Sequence, residues 1–343
     1  MVEQRWSPVC QRPAGLVLPS YVDPLGEDGP TRVQARSSRW ESLGQGWYVP
    51  AERRRCVEQR ILDAACRLRH GGAVTAWAAL RWRGAGYFDG LAPGGTGVLP
   101  VPLLLGGGNL RPRPGCTMSE AQLAPSEWEY VAGLPVATVQ RALFDEVVRR
   151  RELWAGVEAI GMAAAGRLIS VDLFAASLRH RSAWTGVPLV RKAVALARDD
   201  HWSPPEVRMH LAWELVAGFP RALANRPVFD RDGTLIGVPD LFDPISGTVG
   251  EHDGEHHRAT EQRRVDVARE ERFRDQGLEY FSVVGGERRD AVVARMVRTR
   301  ARAKFLPPES CSWTLEPPPW YDVPEPLDAY LRRTGMAARL THK

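Results

Sequence analysis

The chain has 343 residues, of which 44% are hydrophobic, and its formal net charge is +5. These values argue against a disordered chain and are ordinary for a globular protein that is long enough for two domains. A charge this small does not by itself identify a nucleic-acid-binding protein.

The cysteines show neither a zinc-binding nor a disulfide pattern. They form no Cys-x-x-Cys pair and have no histidine at zinc-finger spacing, which argues against structural zinc. There is no basic-then-apolar leader between Met1 and Tyr21 and no apolar run of transmembrane length. We therefore expect a cytoplasmic protein with reduced thiols and no membrane association. The cysteines are Cys10, Cys56, Cys66, Cys116 and Cys311.

The amino-terminal part is predicted to have two segments. Residues 1–44 lack sustained periodicity, which predicts a loosely ordered segment. Residues 45–198 are predicted to be mainly helical, with helices at Arg55–His70 and Ala73–Trp82, whereas Gly97–Leu105 is strand-like. Further helices are predicted at Thr138–Arg149, Arg151–Ala164, Ser170–Leu178 and Gly186–Ala197, with Thr138 and Ser170 as N-caps.

A capping pattern opens the next region. A helix is predicted over His201–Gly218, with Ser203 as N-cap, Pro204 at the first helical position and Glu206 three residues past the cap. In a capping box the glutamate reaches back to a backbone N–H. This structural role explains Glu206 completely, so a functional role needs further support.

A β-hairpin is predicted within Val238–Gly254. Turn-forming residues from Asp243 to Gly247 separate two short apolar runs, which predicts paired strands at Gly237–Phe242 and Thr248–Asp253. This hairpin carries the strongest candidate site of the chain.

Three acidic side chains are predicted to converge on the hairpin. Glu251 and Asp253 are two residues apart and share a face, and the hairpin brings Asp240 opposite them. Carboxylates this close repel one another, and a hard cation such as Mg²⁺ or Mn²⁺ relieves the repulsion. The convergence of Asp240, Glu251 and Asp253 therefore predicts a metal site on this hairpin. The structural alternative is that Asp240 caps one strand and Asp253 ends the other.

A charged helix is predicted after the hairpin, over Thr260–Gln276 with Gly277 as its end, and a strand follows at Leu278–Val284. Asp266 and Arg269 share one face of this helix. That face can line a cleft, and a solvated ion-pair surface explains it equally well.

The order of these motifs resembles the PD-(D/E)xK nuclease superfamily, and within it the very-short-patch-repair-type endonuclease-like domains of many actinobacterial proteins. The resemblance covers Asp199 to Val284, about a quarter of the chain. The motifs are the Ser-x-x-Glu helix, Pro239-Asp240, Glu251-x-Asp253-Gly254, His256-His257 and Asp266-x-x-Arg269.

This resemblance implies a restriction-endonuclease-like mixed sheet flanked by helices, and cleavage of DNA with Mg²⁺ or Mn²⁺ as cofactor. Asp240 and Glu251 would hold the metal, and His256 or His257 would transfer a proton or stabilise charge. The catalytic residues that it implies are Glu206, Asp240, Glu251, Asp253, His256 and His257.

One position departs from the superfamily pattern. Asp253 stands where these nucleases usually have a lysine, and the lysines of this chain, Lys192, Lys304 and Lys343, lie outside the motif. The charge on a cleaved phosphodiester would then be met by the metal, a histidine or an arginine. A domain that keeps the fold and binds DNA without cleaving it is the alternative.

The basic excess lies beside the proposed site. From Arg258 to Lys304 the chain has thirteen basic and eight acidic residues. Such a segment can contact phosphates in a salt-sensitive, sequence-independent way, and a solvated helix face is the competing interpretation. The residues predicted to contact DNA are Arg258, Arg263, Arg269, Arg295 and Arg298.

Three stretches of the amino-terminal half resemble AbiEi-type antitoxin-like regions, which are commonly fused to such nuclease-like domains. They begin at Gly46, Ala73 and Gly133 and read GWYVPA, AVTAWAAL and GLPVATVQRALFD. The resemblance implies a toxin or another defence-system protein as partner. The winged-helix element that usually precedes such regions is not evident here.

Residues 306–343 are predicted to form a proline-rich extension. Pro317-Pro318-Pro319 stiffens it, and Leu327–Leu340 can form a short basic helix. Alternatively, Trp313 and Trp320 dock on the body of the protein or on a partner.

The sequence thus predicts an α/β (α+β) protein with a restriction-endonuclease-like domain at 199–305. The favoured function is metal-dependent endonucleolytic cleavage of DNA. The alternatives are a DNA-binding antitoxin or transcriptional regulator that keeps the nuclease fold, and a protein-interaction module of a defence system.

Overall fold

The computed structural model describes residues 7–107, 113–179, 181–253 and 260–341, with the backbone alone at 93, 260–266, 339 and 341. The chain forms two compact units. Unit 1 comprises Met1–Ala195 and Tyr330–Lys343, and unit 2 comprises Leu196–Ala329.

The regular elements are short strands and helices. The strands are β1 (Ser20–Tyr21), β2 (Trp40–Gly44), β3 (Trp47–Pro50), β4 (Ala73–Val74), β5 (Val101–Leu104), β6 (Cys116–Ser119), β7 (Trp128–Val131), β8 (Leu134–Ala137), β9 (Val228–Asp230), β10 (Leu235–Gly237), β11 (Leu241–Asp243), β12 (Thr248–Asp253), β13 (Glu279–Val284) and β14 (Trp313–Thr314). The α-helices are α1 (Val57–Ala65), α2 (Ala76–Trp82), α3 (Val139–Arg150), α4 (Leu153–Ala165), α5 (Val171–Ser177), α6 (Val187–Leu196), α7 (Pro204–Leu211), α8 (Thr260–Asp275), α9 (Arg289–Arg302), α10 (Leu327–Arg333) and α11 (Met336–Thr341). Within the described ranges, none of the helices has both the length and the apolar character needed to cross a membrane. The five cysteines are free thiols.

Unit 1 contains two sheets, of strand orders β1-β3-β2 and β6-β5-β4-β8-β7. Helices α3 to α6 lie close to their predicted positions. The predicted N-caps are also confirmed, because Thr138 accepts a hydrogen bond from the backbone N–H of Arg141 and Ser170 accepts one from that of Leu173. The sheets were missed apart from β5, since strands of two to five residues are too short to establish an alternating pattern.

The stretch before residue 45 is more regular than its sequence predicts. It contains β1, a 3₁₀ turn at Gln34–Arg36 and β2. Both strands pair with β3, and the rings of Tyr21 and Trp47 lie 4.0 Å apart. The described part of this stretch is therefore ordered by pairing with residues beyond it.

Unit 2 contains the sheets β11-β12-β13 and β10-β9-β14. Strands β11 and β12 form an antiparallel hairpin, and β12 pairs in parallel with β13. Helix α8 is the crossover that a parallel connection requires. Helix α7 contacts β11 and β12, whereas α8 and α9 contact β13. The predicted mixed α/β class is confirmed at this level.

The first strand of the predicted hairpin is split between the two sheets. Leu235–Gly237 is β10 and pairs with β9, and the strand that pairs with β12 begins only at Leu241. Asp243, expected as a turn residue, is the last residue of β11. The second strand occupies Thr248–Asp253 as predicted.

Asp243 anchors the hairpin turn from a buried position, with 1% of its surface exposed. Its Oδ1 accepts a hydrogen bond from the N–H of Ile245, and its Oδ2 accepts one from the Ser246 hydroxyl at 2.6 Å. Arg300 of α9 donates to the same Oδ2 at 2.9 Å. This buried ion pair fixes the turn against α9.

The carboxy-terminal tail packs on unit 2 up to Tyr321. Strand β14 pairs with β9. The ring of Trp313 lies edge-on to Phe242 at a centroid distance of 5.0 Å, and Trp320 lies 6.1 Å from Phe229. This part of the tail has the docked arrangement and is not a free extension.

Candidate active site

The candidate site lies at the open end of the β11–β12 hairpin. Leu241 pairs with Gly250 in the antiparallel register. Asp240, which immediately precedes β11, and Glu251 are the next residues beyond this last pair, so the hairpin end brings them opposite each other, as the sequence predicts.

Gly250 allows close packing against β13 next to Glu251. A Cβ atom at position 250 would lie 2.4 Å from the ring of Phe281 on the neighbouring strand. Only glycine leaves room for this ring. The Phe281 side chain therefore covers the face of the sheet opposite to the Glu251 side chain, because successive residues of a strand point to opposite faces.

Asp240 is held against β12 by one backbone hydrogen bond. Its Oδ2 accepts from the N–H of His252 at 2.7 Å. Burial raises the pKa of Asp240, and the charge of Asp253 adds to the rise, whereas the His252 N–H and Arg269 oppose it. The carboxylate thus lies in a setting that disfavours its negative charge.

Glu206 is a buried acid on the first turn of α7. Its Oε2 accepts hydrogen bonds from the N–H of Trp202 at 2.8 Å and from the amide of Asn225 at 2.7 Å. Burial, and next the charge of Asp240, raise the pKa of Glu206 to about 7. The glutamate does reach back to a backbone N–H, though to residue 202 rather than to Ser203. It therefore has a structural role and is also electrostatically linked to Asp240.

Arg269 of α8 is the cation at this site. Its Nη2 lies 2.9 Å from Oε1 of Glu251 and also donates a hydrogen bond to the backbone carbonyl of Val238. The Arg269 side chain is 32% exposed, whereas that of Glu251 is 10% exposed. The guanidinium group therefore joins the two chain segments that carry the opposed acids.

Asp253 ends β12 and is half-buried. It lies two residues beyond Glu251, so both side chains share one face of the strand, as predicted. Its neighbour on β13 is Val284.

Several predicted residues lie outside the described residues. His256, His257 and Arg258 belong to the range 254–259, and the side chain of Arg263 is in the backbone-only part of α8.

Two arginines that were predicted to contact DNA lie on α9, and their surroundings differ. Arg295 pairs with Glu287 at 2.5 Å, whereas Arg298 is exposed.

A buried histidine pair behind Asp240 was not predicted from the sequence. The Nε2 atom of His210 lies 2.8 Å from the backbone carbonyl oxygen of Asp240, and the ring of His201 lies 4.7 Å from that of His210. Burial lowers the pKa of His210 to about 3. Because a carbonyl only accepts, the neutral ring carries its proton on Nε2. The available signal was the four-residue spacing of Glu206 and His210, which places both on one helix face.

The acidic groups match the donors that Mg²⁺ and Mn²⁺ prefer. Within the described ranges, no three His, Cys, Asp or Glu residues form a group that could hold a metal ion. Asp240 and Glu251 nevertheless supply an opposed pair of carboxylates, and Mg²⁺ is commonly held by one or two carboxylates together with substrate phosphates and water. Burial is the main cause of the raised pKa values of Asp240 and Glu206, and a neighbouring carboxylate adds to each. A divalent cation would favour the charged forms of both acids.

Comparison with known proteins yields no relative. No protein-family model matches the chain. No curated protein matches it. No solved structure matches it.

Proposed function

We propose that unit 2 is a metal-dependent DNA endonuclease domain of the PD-(D/E)xK type. The observation that carries this proposal is the placement of Asp240 opposite Glu251 across the hairpin end, with Glu206 electrostatically linked to Asp240. The order of a helix that carries Glu206, an antiparallel hairpin and a parallel third strand supports it as well.

Asp240 and Glu251 would hold Mg²⁺ or Mn²⁺. When bound, the ion supplies positive charge that stabilises the transition state of phosphodiester hydrolysis. The His252 N–H orients the Asp240 carboxylate. This contact preorganises Asp240, which lowers the cost of assembling the site for each reaction.

Glu206 is suited to hold and release a proton. Its pKa of about 7 means that both protonation states are populated near neutral pH. Hydrogen bonds from Trp202 and Asn225 leave the group oriented in either state. We assign it the role of a general acid or base within the nuclease.

Arginines supply the interaction with DNA in this proposal. Arg298 is exposed on α9, and Arg269 lies partly exposed at the acidic pair. Both can contact phosphates. Arg295 would have to leave Glu287 in order to do so.

The second candidate function is a DNA-binding antitoxin or regulator that keeps the nuclease fold. Asp253 favours it, because this position usually carries the lysine of an active nuclease. Such a protein would bind DNA in the presence of a chelator and would be unaffected by the loss of Glu251. A toxin or another defence-system protein would then be its partner.

Cleavage of supercoiled, linear and single-stranded DNA with Mg²⁺ or Mn²⁺ tests the proposal. Wild type is compared with Asp240→Asn and with a control, Glu270→Gln, which removes an exposed ion pair with Arg274 on α8. We expect cleavage by wild type and the control, and its loss in Asp240→Asn and in chelator. DNA binding without cleavage on any substrate would instead support the regulatory function.

A further inference from the structure

We propose that Arg269 pairs with Glu251 as an internal counter-ion while the site is free of metal, and moves to the DNA phosphate when the ion binds. This inference rests on the nuclease proposal and adds to it the cation that Asp253 does not supply. It gives one side chain two successive partners, a carboxylate and a phosphate.

The position of Arg269 supports the first partner. One nitrogen, Nη2, interacts with both the Glu251 carboxylate and the Val238 carbonyl. Val238 lies two residues before Asp240. The guanidinium therefore contacts Glu251 directly and also contacts the segment that carries Asp240. A metal ion at the acidic pair would therefore be close to this positive charge, and the two cations would repel each other.

The helix that carries Arg269 is firmly anchored one turn further on. Phe273 follows Arg269 by four residues, so both lie on one face of α8. Phe273 is completely buried, and a Cβ atom at Gly237 would lie 2.6 Å from its ring. The backbone of α8 is thus fixed beside the start of the site.

The side chain of Arg269 can move although its backbone is fixed. It is 32% exposed, and it is long enough to exchange one partner for another by rotating its side-chain bonds. The guanidinium presents five donors in a planar fork that matches a phosphate. Released from Glu251, it provides the positive charge that a lysine at position 253 would have provided.

Two consequences follow for metal binding and cleavage. In wild type the ion competes with the Arg269 charge for Glu251, so removal of this charge should tighten metal binding. Removal should also weaken cleavage, because the phosphate loses a cation. A side chain with a purely structural role would not change the two properties in opposite directions.

The test is calorimetric titration of the full-length protein with Mn²⁺ in the absence of DNA, followed by cleavage assays. The variants are Arg269→Gln, Arg269→Lys and the control Arg274→Gln, which removes the exposed partner of Glu270 on the same helix. For Arg269→Gln we expect about fivefold or greater tightening of Mn²⁺ binding and about a hundredfold loss of cleavage. Arg269→Lys should keep the wild-type affinity and lose about tenfold in cleavage, because it keeps the charge but not the planar fork. Arg274→Gln should match wild type in both.

The outcomes separate this inference from the nuclease proposal. If wild type binds Mn²⁺ and cleaves DNA but Arg269→Gln binds the ion no more tightly, the counter-ion role is wrong and the nuclease proposal stands. If neither wild type nor any variant binds Mn²⁺ or cleaves DNA, the nuclease proposal fails and this inference fails with it.

Discussion

The Nε2 atom of His210 lies 2.8 Å from the backbone carbonyl oxygen of Asp240. This hydrogen bond joins α7 to the residue that immediately precedes β11. Since Glu206 lies one turn earlier on the same helix, the histidine also fixes the distance between two acids of the candidate site. His210 is therefore a positioning residue, which acts through Asp240.

Removal of the His210 ring should lower stability markedly. His210→Ala loses a buried hydrogen bond and leaves a cavity, so we expect the free energy of unfolding to fall by about 2–4 kcal/mol. Urea denaturation measures the difference. His210→Gln, which keeps an N–H donor, should lose less. Equal losses in the two variants would show that the hydrogen bond to Asp240 does not stabilise the fold.

His201 should make the protein acid-sensitive. Its two ring nitrogens are buried and have no hydrogen-bond partner among the described residues. Burial, and next the charges of His210, Arg198 and Arg221, lower its pKa well below 6.5. As the pH falls, the unfolded chain therefore binds a proton at this residue before the native protein does. The stability that neutral His201 contributes is complete above pH 6.5 and is lost as the pH falls below 6.5.

His201→Leu should reduce that acid sensitivity. The variant removes two unsatisfied polar atoms, so we expect stability at pH 7.5 to be retained or increased. Below pH 6.5 its stability should fall less steeply than that of wild type, by up to about 1.4 kcal/mol per pH unit. Urea midpoints between pH 7.5 and pH 5 measure both slopes. An equal pH dependence of stability in wild type and His201→Leu would show that His201 does not cause the acid sensitivity.

Glu206 should make the protein less stable as the pH rises through 7. Its pKa of about 7 lies above the usual 4.5, so the native state holds the proton more tightly than the unfolded state. The stability that it contributes is complete below pH 4.5 and is lost as the pH rises through 7. Glu206→Gln should remove this loss, which amounts to about 2–3 kcal/mol between pH 5 and pH 8. A variant whose stability falls as much as that of wild type between pH 5 and pH 8 would contradict the prediction.

The Gly250→Ala variant should disturb both the sheet and the metal site. The added methyl group would overlap the Phe281 ring, so we expect a destabilisation of about 1–3 kcal/mol and weaker Mn²⁺ binding at Glu251. The matched control is Gly97→Ala, where a Cβ atom meets nothing within 4 Å. Thermal denaturation compares the two. Equal melting temperatures of the two variants would show that the Phe281 ring moves aside at little energetic cost.

Local patterns predicted much of unit 2. The two-residue period and the turn residues predicted β12 completely, and capping signals predicted α8 to within one residue at its end, as Thr260–Asp275. Alternation also predicted that Asp240 and Glu251 oppose each other. These features depend on residues close together in the chain, so a single sequence contains the information.

Contacts between distant segments were not predictable in this way. Arg300 reaches the buried Asp243 across 57 positions, and Trp313 packs against Phe242. The pairing of Arg269 with Glu251 likewise depends on how α8 lies on the sheet. None of these contacts has a spacing rule in the sequence, because tertiary packing decides them.

The most direct measurement is Mg²⁺-dependent cleavage of supercoiled plasmid by Glu251→Gln beside Glu270→Gln, both at concentrations that saturate the plasmid. If Glu251 holds the ion, the first variant loses cleavage by a factor of at least about a hundred, while the exposed-site variant retains wild-type activity. Equal cleavage by Glu251→Gln and wild type would contradict a metal centre at this hairpin.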